Sequence, residues 1–588
     1  MLSGPISQDS FSLGMVPAAA PNLIPSGGAY RLRNYLVDND GAAYKRGGTV
    51  ALASFGDEGL TFIWSGWLAG GHRTVVASPS KFGVLNEVED DVIEVGGDGL
   101  AAPANAVEVA GILFIDGGWL YAGSRKTSSY STGTVSIEGV GENGEPGSTK
   151  VTGTGTSWLS NADAGMLLKV GGRAYAVKRV VSDTELELAS PFPDESVEGE
   201  SYELAPILKA ADVGVRPGPY ATVASRLLSL EGNRVYHSAV LNPCRWNSDE
   251  DYHELSGGVQ VLGAEPLGND AVVFTTGGVW TIGNMAYEIV DPYGNLQQPE
   301  AQILRELVLW DRVAIAAWQE GLVVPALDGV WLISPSGPQM LSRSITPTYV
   351  GYINAGCRPG IAAVHKSHYF LPILDGAGEP VDLLVCRLDA PARTGMGVIF
   401  PWTNWRGAGA RVSGLAQRVG IEAREPVLFG VEADDESNVL RMPRFEHDGE
   451  ALDHDGSPVV PDVVLPDYAT GPRESENFVK ALMVRHETVG EGAEVEAFVS
   501  DAARPPDAVW GEFRWGDGTK WTDREEDEFD RGYRKLPGDE GQNFGARPAQ
   551  WRVNRQTRFV RLRLRVPTGA TRHVLRSVKV YVRQSGRL

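Results

Sequence analysis

A hairpin signal recurs seven times along the chain, and this recurrence limits the available folds more than any other feature. Each unit is a pair of apolar runs flanking a turn rich in Gly, Asp or Asn, often with an aromatic early in the second run. The pairs are Thr61–Leu68 with Arg73–Ser78, Gly111–Ile115 with Trp119–Ala122, Leu227–Leu230 with Val235–Ala239, and Ala271–Thr275 with Val279–Ile282. Leu322–Ala326 with Val330–Ile333, His368–Leu374 with Val381–Leu388, and Val427–Val431 with Val439–Met442 complete the set. Turn residues at 232, 277, 329, 376 and 437 stand 45, 52, 47 and 61 residues apart, and those at 71 and 117 stand 46 apart. The wide gap from 117 to 232 holds a block, 127–205, of different character; without it about 35 residues remain. A four-stranded blade cannot bury both faces alone and must stack on its neighbours, so hairpins at this period read as β-propeller blades. The expected fold is all-β: an irregular β-propeller of six or seven blades, with an inserted small β domain and a C-terminal β-sandwich-like domain.

Composition agrees with many short strands. The 588 residues include 71 glycines and 36 prolines without a collagen-like period, which implies many turns. Helical periodicity is scarce; the best stretch, Ala301 to Ala317, reads equally well as strand. The expected layout is an N-terminal arm and first strand at 1–48, propeller at 49–126 and 206–447, and the insertion at 127–205. A Pro, Asp and Gly-rich linker or extended arm follows at 448–475, then a sandwich at 476–588.

Three scattered cysteines, Cys244, Cys357 and Cys386, draw neither a disulfide framework nor a zinc ribbon. The N-terminus has no basic region before Arg31 and no apolar run long enough to span a bilayer, so a chain made in a cytoplasm without stable membrane insertion is expected. The net charge of −22 speaks against a protein whose main task is gripping nucleic acid. The distribution is uneven: Asn543 to Leu588 carries twelve Arg or Lys and no Asp or Glu. Within it, the alternation Arg561, Leu562, Arg563, Leu564, Arg565, Val566 sends three arginines to one strand face and three aliphatics to the other, giving one core face and one basic face.

Catalytic motifs are wanting. Gly147-Ser148-Thr149-Lys150 has the letters of a phosphate loop in the wrong order, and no nucleophile elbow, zinc-protease or EF-hand pattern occurs. His447, Asp448, Asp453, His454 and Asp455 form the densest ligand-like cluster; carboxylate oxygens near a glycine turn suit calcium, against the plainer reading of a solvated linker. His365 and His368 are expected on opposite faces of one strand. The acidic loops at Asp249-Glu250-Asp251 and Asp523 to Asp530 read as wet loops before paired acids for glycan cleavage. Tryptophans at hairpin positions, such as Trp119, Trp280 and Trp331, suit blade packing more than a sugar platform. No cofactor, metal or enzymatic activity is expected.

Three segments carry a resemblance. Arg33 to Thr49, RNYLVDNDGAAYKRGGT, resembles a signature near the start of the nozzle or hub proteins of short-tailed phages, the packaged-DNA stabilisation or tail tubular protein B-like family. Asn233 to Ile282 is similar to a second stretch of those propellers: Tyr-x-Ser, then Pro and Trp, an acidic loop, a VVFT strand and Trp-x-Ile. The inserted block, with Gly153-Thr154-Gly155-Thr156-Ser157-Trp158 and Ser182 to Leu188, looks like a small β module of virion proteins. The resemblance implies a ring oligomer, a hexamer or similar, in the virion tail. It also implies transient passage of double-stranded DNA and contacts to the adaptor or head-to-tail connector above and to a fibre, spike or needle protein below. On that reading the basic strand, Arg558, Arg561, Arg563 and Arg565, is expected to dock on a neighbouring acidic subunit or another tail protein. The alternative function is a receptor-binding or glycan-degrading tail protein on the same scaffold.

Overall fold

The computed structural model describes residues 6–19, 23–56, 58–86, 91–141, 145–246, 251–286, 300–304, 306–319, 321–418, 426–432, 437–443, 452–469, 477–489, 495–500, 534–535, 549–557, 559–566 and 572–583. Among these, seven antiparallel sheets follow one another around a ring. The first holds Phe62–Leu68, Gly71–Ala77, Phe82–Asn86 and Asp91–Gly96. The second holds Ala106–Val109, Ile112–Ile115 and Trp119–Tyr121, and is completed by Ile207–Lys209 after the insertion. Tyr220–Val223 to Tyr252–Glu254 make the third, Val261–Leu267 to Glu300–Leu304 the fourth, and Ala316–Trp318 to Gly337–Met340 the fifth. The sixth contains Ala363–His365, His368–Leu374, Pro380–Arg387 and Trp402–Trp405. In the seventh, Val412–Arg418, Val427–Glu432 and Asn438–Arg441 are joined at the edge by Val50–Ser54 from the start of the chain. The protein is an irregular β-propeller.

All seven hairpins read from the sequence are present. Six supply the second and third strands of a blade, whereas the first supplies strands one and two. Of the stretch from Ala301 to Ala317, the described parts form strand Glu300–Leu304, a short 3-10 turn Arg312–Ala314 and the start of the strand Ala316–Trp318. A single α-helix of two turns or more, Thr346–Asn354, occurs among the described residues.

Period-two alternation builds the ring. On Ile112–Ile115, Leu113 and Ile115 pack toward the first blade with Phe82 and Trp119, while Phe114 turns toward the third with Tyr220 and Leu227. On Asp270–Thr275, Val273 faces the third blade and Val272 and Phe274 the fifth. Phe370 faces the seventh blade, and its neighbours Tyr369 and Leu371 the fifth. Both faces of each blade are thus dry, so the middle strands read as unbroken apolar runs. Phe429, Val431 and Val439 meet Ile63, Val76 and Leu85, which closes the circle between blades seven and one.

The insertion is a seven-stranded sheet around Trp158, Leu168, Val177 and Leu186. Its long strand Arg173–Ser182 pairs with Leu167–Val170 at one end and Glu185–Leu188 at the other. Leu167, Ala174 and Ala176 seat it on blades two and three, where the Cys244 thiol lies 3.6 Å from the Ala174 carbonyl.

The C-terminal sheets and the N-terminal segment form one module. Ile6–Gln8 pairs with Arg572–Arg583, Tyr35–Val37 and Ala43–Lys45 extend the same sheet, and Asn477–Val489 and Ala549–Thr557 lie on its other side. Facing it, Phe559–Arg565 pairs with Glu496–Ser500 and with Asp462–Val464, then Arg31–Arg33 joins this sheet to the edge of blade six. Val479, Leu482 and Val484 pack against Leu562, Leu564, Val578 and Val580 between the layers. Within the expected linker or arm, the described residues 452–469 contribute the strand Asp462–Val464 between Arg31–Arg33 and Phe559–Arg565. Phe274, fully buried between blades four and five, gives a test: Phe274→Ala should lower stability by about 3–5 kcal/mol, seen as a lower urea midpoint with an unchanged slope.

Candidate functional site

The densest polar construction lies where the two ends of the propeller meet. Tyr35–Val37 and Ala43–Lys45 bring the chain in, and Gly47 to Thr49 lead it into the closing strand Val50–Ser54. Arg46 sits between them with no exposed surface. All five of its N–H donors are used. Nε donates to Asn34 Oδ1 at 3.1 Å, Nη1 to Asp453 Oδ1 at 2.8 Å and the Gly47 carbonyl at 3.0 Å, and Nη2 to Asp453 Oδ2 at 2.9 Å and the Arg406 carbonyl at 3.1 Å. The Trp405 ring lies 5.4 Å from the guanidinium carbon. Asn34 holds a left-handed conformation at φ 57°, and its side chain also accepts from the Arg406 amide and donates to the Val460 carbonyl.

Burial alone would raise the Asp453 carboxyl, but the Arg46 guanidinium outweighs it and holds the group below the usual range. One residue on, His454 Nε2 lies 2.8 Å from Glu432 Oε1 on blade seven, and Nδ1 lies 3.1 Å from Thr49 Oγ1. Hydrogen bonding to Glu432 and the nearby acids raise the imidazole above its ordinary value. Gly48 is needed for space: a Cβ there would stand 1.7 Å from the Leu452 carbonyl oxygen.

Asp453 and His454, read as possible calcium ligands, are therefore spent on closing the ring. Asp455 caps the Ser457 amide, and His447 and Asp448 lie outside the described residues. Among the described residues no group of three or more His, Cys, Asp or Glu is arranged to hold a metal ion. The other acidic loops, Asp249-Glu250 and Asp523 to Asp530, also lie outside them.

The expected free basic face is corrected. Leu562, Leu564 and Val566 do point into the core, but Arg561 and Arg563 are buried on the opposite side. Arg561 makes a two-pronged ion pair with Asp467, at 2.6 and 2.9 Å, with the Tyr30 ring 5.5 Å away. Arg563 Nε donates to Asp462 Oδ1 at 2.7 Å, and Arg31 pairs with the same carboxylate. Arg565 is half-buried opposite Asp462 and Glu496, and Arg558 lies outside the described residues. Arg561 and Arg563 are thus covered by the chain's own acids.

His365 and His368 are also corrected: they are cross-strand partners and share a face. Lys366 and Ser367 form a two-residue hairpin turn with φ 45° and 61°, so the spacing of three spans a turn instead of running along a strand. Burial lowers both imidazoles to about 4.

In the second resembling segment, Ser238 Oγ accepts from the Leu227 amide at 2.9 Å, Trp246 Nε1 donates to the Pro243 carbonyl, and Val272 to Thr275 and Trp280 fall in the blade-four hairpin. In the insertion, Trp158 is buried with Nε1 on the Tyr202 hydroxyl at 2.9 Å.

No protein-family model and no curated protein matches the sequence. Solved structures with some similarity include human WBSCR16, at 12% identity over 66% of this chain and 87% of that one, TM-score 0.27. YCF48 from Cyanidioschyzon merolae follows at 7%, 67% and 98%, TM-score 0.30, and an ancestral GH74 enzyme at 10%, 65% and 55%, TM-score 0.25.

Arg46→Met should cost about 3–5 kcal/mol, because it strands a buried carboxylate. The pair Arg46→Met with Asp453→Leu should cost less than the two single changes summed, as a double-mutant cycle in urea would read. Since His454 is raised, its contribution is full below about pH 6.5 and fades as pH rises through the folded value. Since His253, His365 and His368 are lowered to about 4 by burial, their contribution is full above about pH 6.5 and is lost as pH falls toward 4. Urea midpoints measured from pH 4 to 9 should therefore decline on both flanks, and Glu432→Gln should flatten the alkaline one.

Proposed function

We propose that the protein is a structural component of a phage tail, a nozzle or hub ring below the portal and adaptor, and that its role is mechanical and not catalytic. The observation that carries this reading is the work done by the nozzle-like segment Arg33 to Thr49. Its Asn34, Arg46, Gly48 and Thr49 are the residues that tie the propeller shut. The blade-three and blade-four residues of Asn233 to Ile282 support the same likeness.

Charge fits a conduit built from several copies. Arg312 reaches from the approach to blade five across blade four and bonds the Tyr220 carbonyl of blade three. DNA would pass between subunits, along the axis of a ring. A conduit must not hold what slides through it, and a net charge of −22 repels phosphate at contact range. Adaptor above and fibre, spike or needle below would be the stable partners, in a virion tail assembled in the host cytoplasm.

The mass of the purified full chain with its adaptor, together with negative-stain images, tests the reading. A closed ring of about six copies is expected. A trimeric spike, a chain that stays monomeric on the adaptor, or turnover of host polysaccharide would overturn it.

A further inference from the structure

Two exposed strand edges of opposite charge stand at the same end of the propeller, on blades that do not adjoin. The inserted domain is strung between the third and fourth strands of blade two, Trp119–Tyr121 and Ile207–Lys209. Between the corresponding strands of blade six, Pro380–Arg387 and Trp402–Trp405, the chain makes a small hairpin of Ala392–Thr394 and Gly397–Ile399. Successive strands of a blade are antiparallel, so both excursions leave from the same end of the ring. Blades three to five separate them on one side, and blades seven and one on the other.

The edge on the insertion is acidic. Its strand Val197–Glu200 pairs with Thr134–Ile137 and, among the described residues, has no ladder partner on its other side. Val197 packs on the insertion's core, and alternation sends Glu198 and Glu200 outward. Glu195 precedes them, and Glu138 follows the paired strand where the Gly139 amide donates to Ser196 Oγ at 2.9 Å. All four glutamates are exposed, and among the described residues none has an ion pair. Val140, 43% exposed, adds an apolar spot beside them, its amide on the Asp194 carbonyl.

The hairpin on blade six is basic. Ala392–Thr394 pairs with Gly397–Ile399 alone, and Arg393 on it is exposed and without an ion pair among the described residues. Arg343, also exposed, lies against the hairpin turn with Nη1 3.3 Å from the Met396 carbonyl. Lys366 is exposed on the turn that holds the hairpin's base, where the Leu388 amide donates to the Ser367 carbonyl at 2.8 Å. Asp389, the acid at that base, is taken by Arg387 at 2.7 Å.

We propose that these two edges form the contact between neighbouring copies: Val197–Glu200 of one subunit lies along Ala392–Thr394 of the next, with Glu198 and Glu200 facing Arg393 and Arg343. A strand edge offers unpaired N–H and C=O groups to any other edge, and a row of glutamates repels a second acidic one, so a basic edge is the partner that fits. The two patches sit on different blades of one chain, which makes the contact head to tail. Both lie at the same end of the propeller, so repeated rotation about an axis parallel to the propeller's own can close a ring. This rests on the tail-ring reading above and names the surfaces that hold it together. Pairs exposed to water at such a contact select the partner and weaken with salt.

Charge reversal tests the contact on the full chain with its adaptor, read by mass photometry as the protein concentration at half-assembly of the ring. Glu198→Lys with Glu200→Lys, or Arg343→Glu with Arg393→Glu, should each raise that concentration about tenfold or more. All four changes together should bring it back to within about threefold of the native chain, which a fold damaged by either half would not do. A chain carrying both Glu198→Cys and Arg393→Cys should form a covalent ladder on oxidation that neither single change gives. Rings that assemble normally with either edge reversed, or a combined variant no better than its worse half, would overturn the contact and leave the tail reading standing. A chain that forms no ring overturns both.

Discussion

A propeller is a strip of sheets bent until its ends touch, and the stability of every blade depends on those ends staying together. Here the join rests on the buried pair Arg46 and Asp453. A guanidinium with no exposed surface would be among the most costly groups to bury, were it not for five acceptors placed around its five donors. Those acceptors come from the N-terminal segment, from the loop after blade six and from the arm after blade seven. One side chain thereby fixes three chain segments that are far apart in sequence, and the closing strand Val50–Ser54 is held beside Asn438–Arg441 as a result.

The same economy governs the C-terminal module. Its two layers are completed by strands from the first 45 residues, and one layer continues through Arg31–Arg33 into blade six. Propeller and sandwich are therefore a continuous hydrogen-bonded body. The acidic residues Asp462 and Asp467 neutralise the arginine strand from within. This is how a tail segment with twelve basic residues and no acidic ones can belong to an acidic protein without presenting a free cationic face along that strand.

Much of the architecture was legible because blade hairpins are local. Two apolar runs and a turn lie within about twenty residues, so their periodicity survives in the sequence and the seven units could be read directly. The insertion was legible for the same reason, since its strands alternate and its turns are rich in Gly and Ser-Asp. The candidate site was legible only in part. The segment Arg33 to Thr49 stood out, but its role did not, and Asp453 read as part of a solvated linker, with calcium as the lesser alternative, because its partner lies 407 residues away. His365 and His368 were misjudged because a two-residue turn with both residues left-handed looks, in sequence, like an uninterrupted strand.

By itself the sequence determined the fold class and the number of repeating hairpins, because each depends on neighbours within a few tens of residues. Only the tertiary structure decided which strand closes the ring, which acids cover Arg561 and Arg563, and where Arg312 reaches. These are pairings of charge and register across hundreds of residues. The physical reason is that an ion pair leaves no period behind it: any carboxylate in the chain suits any arginine until folding brings one of them within 3 Å and removes the water between.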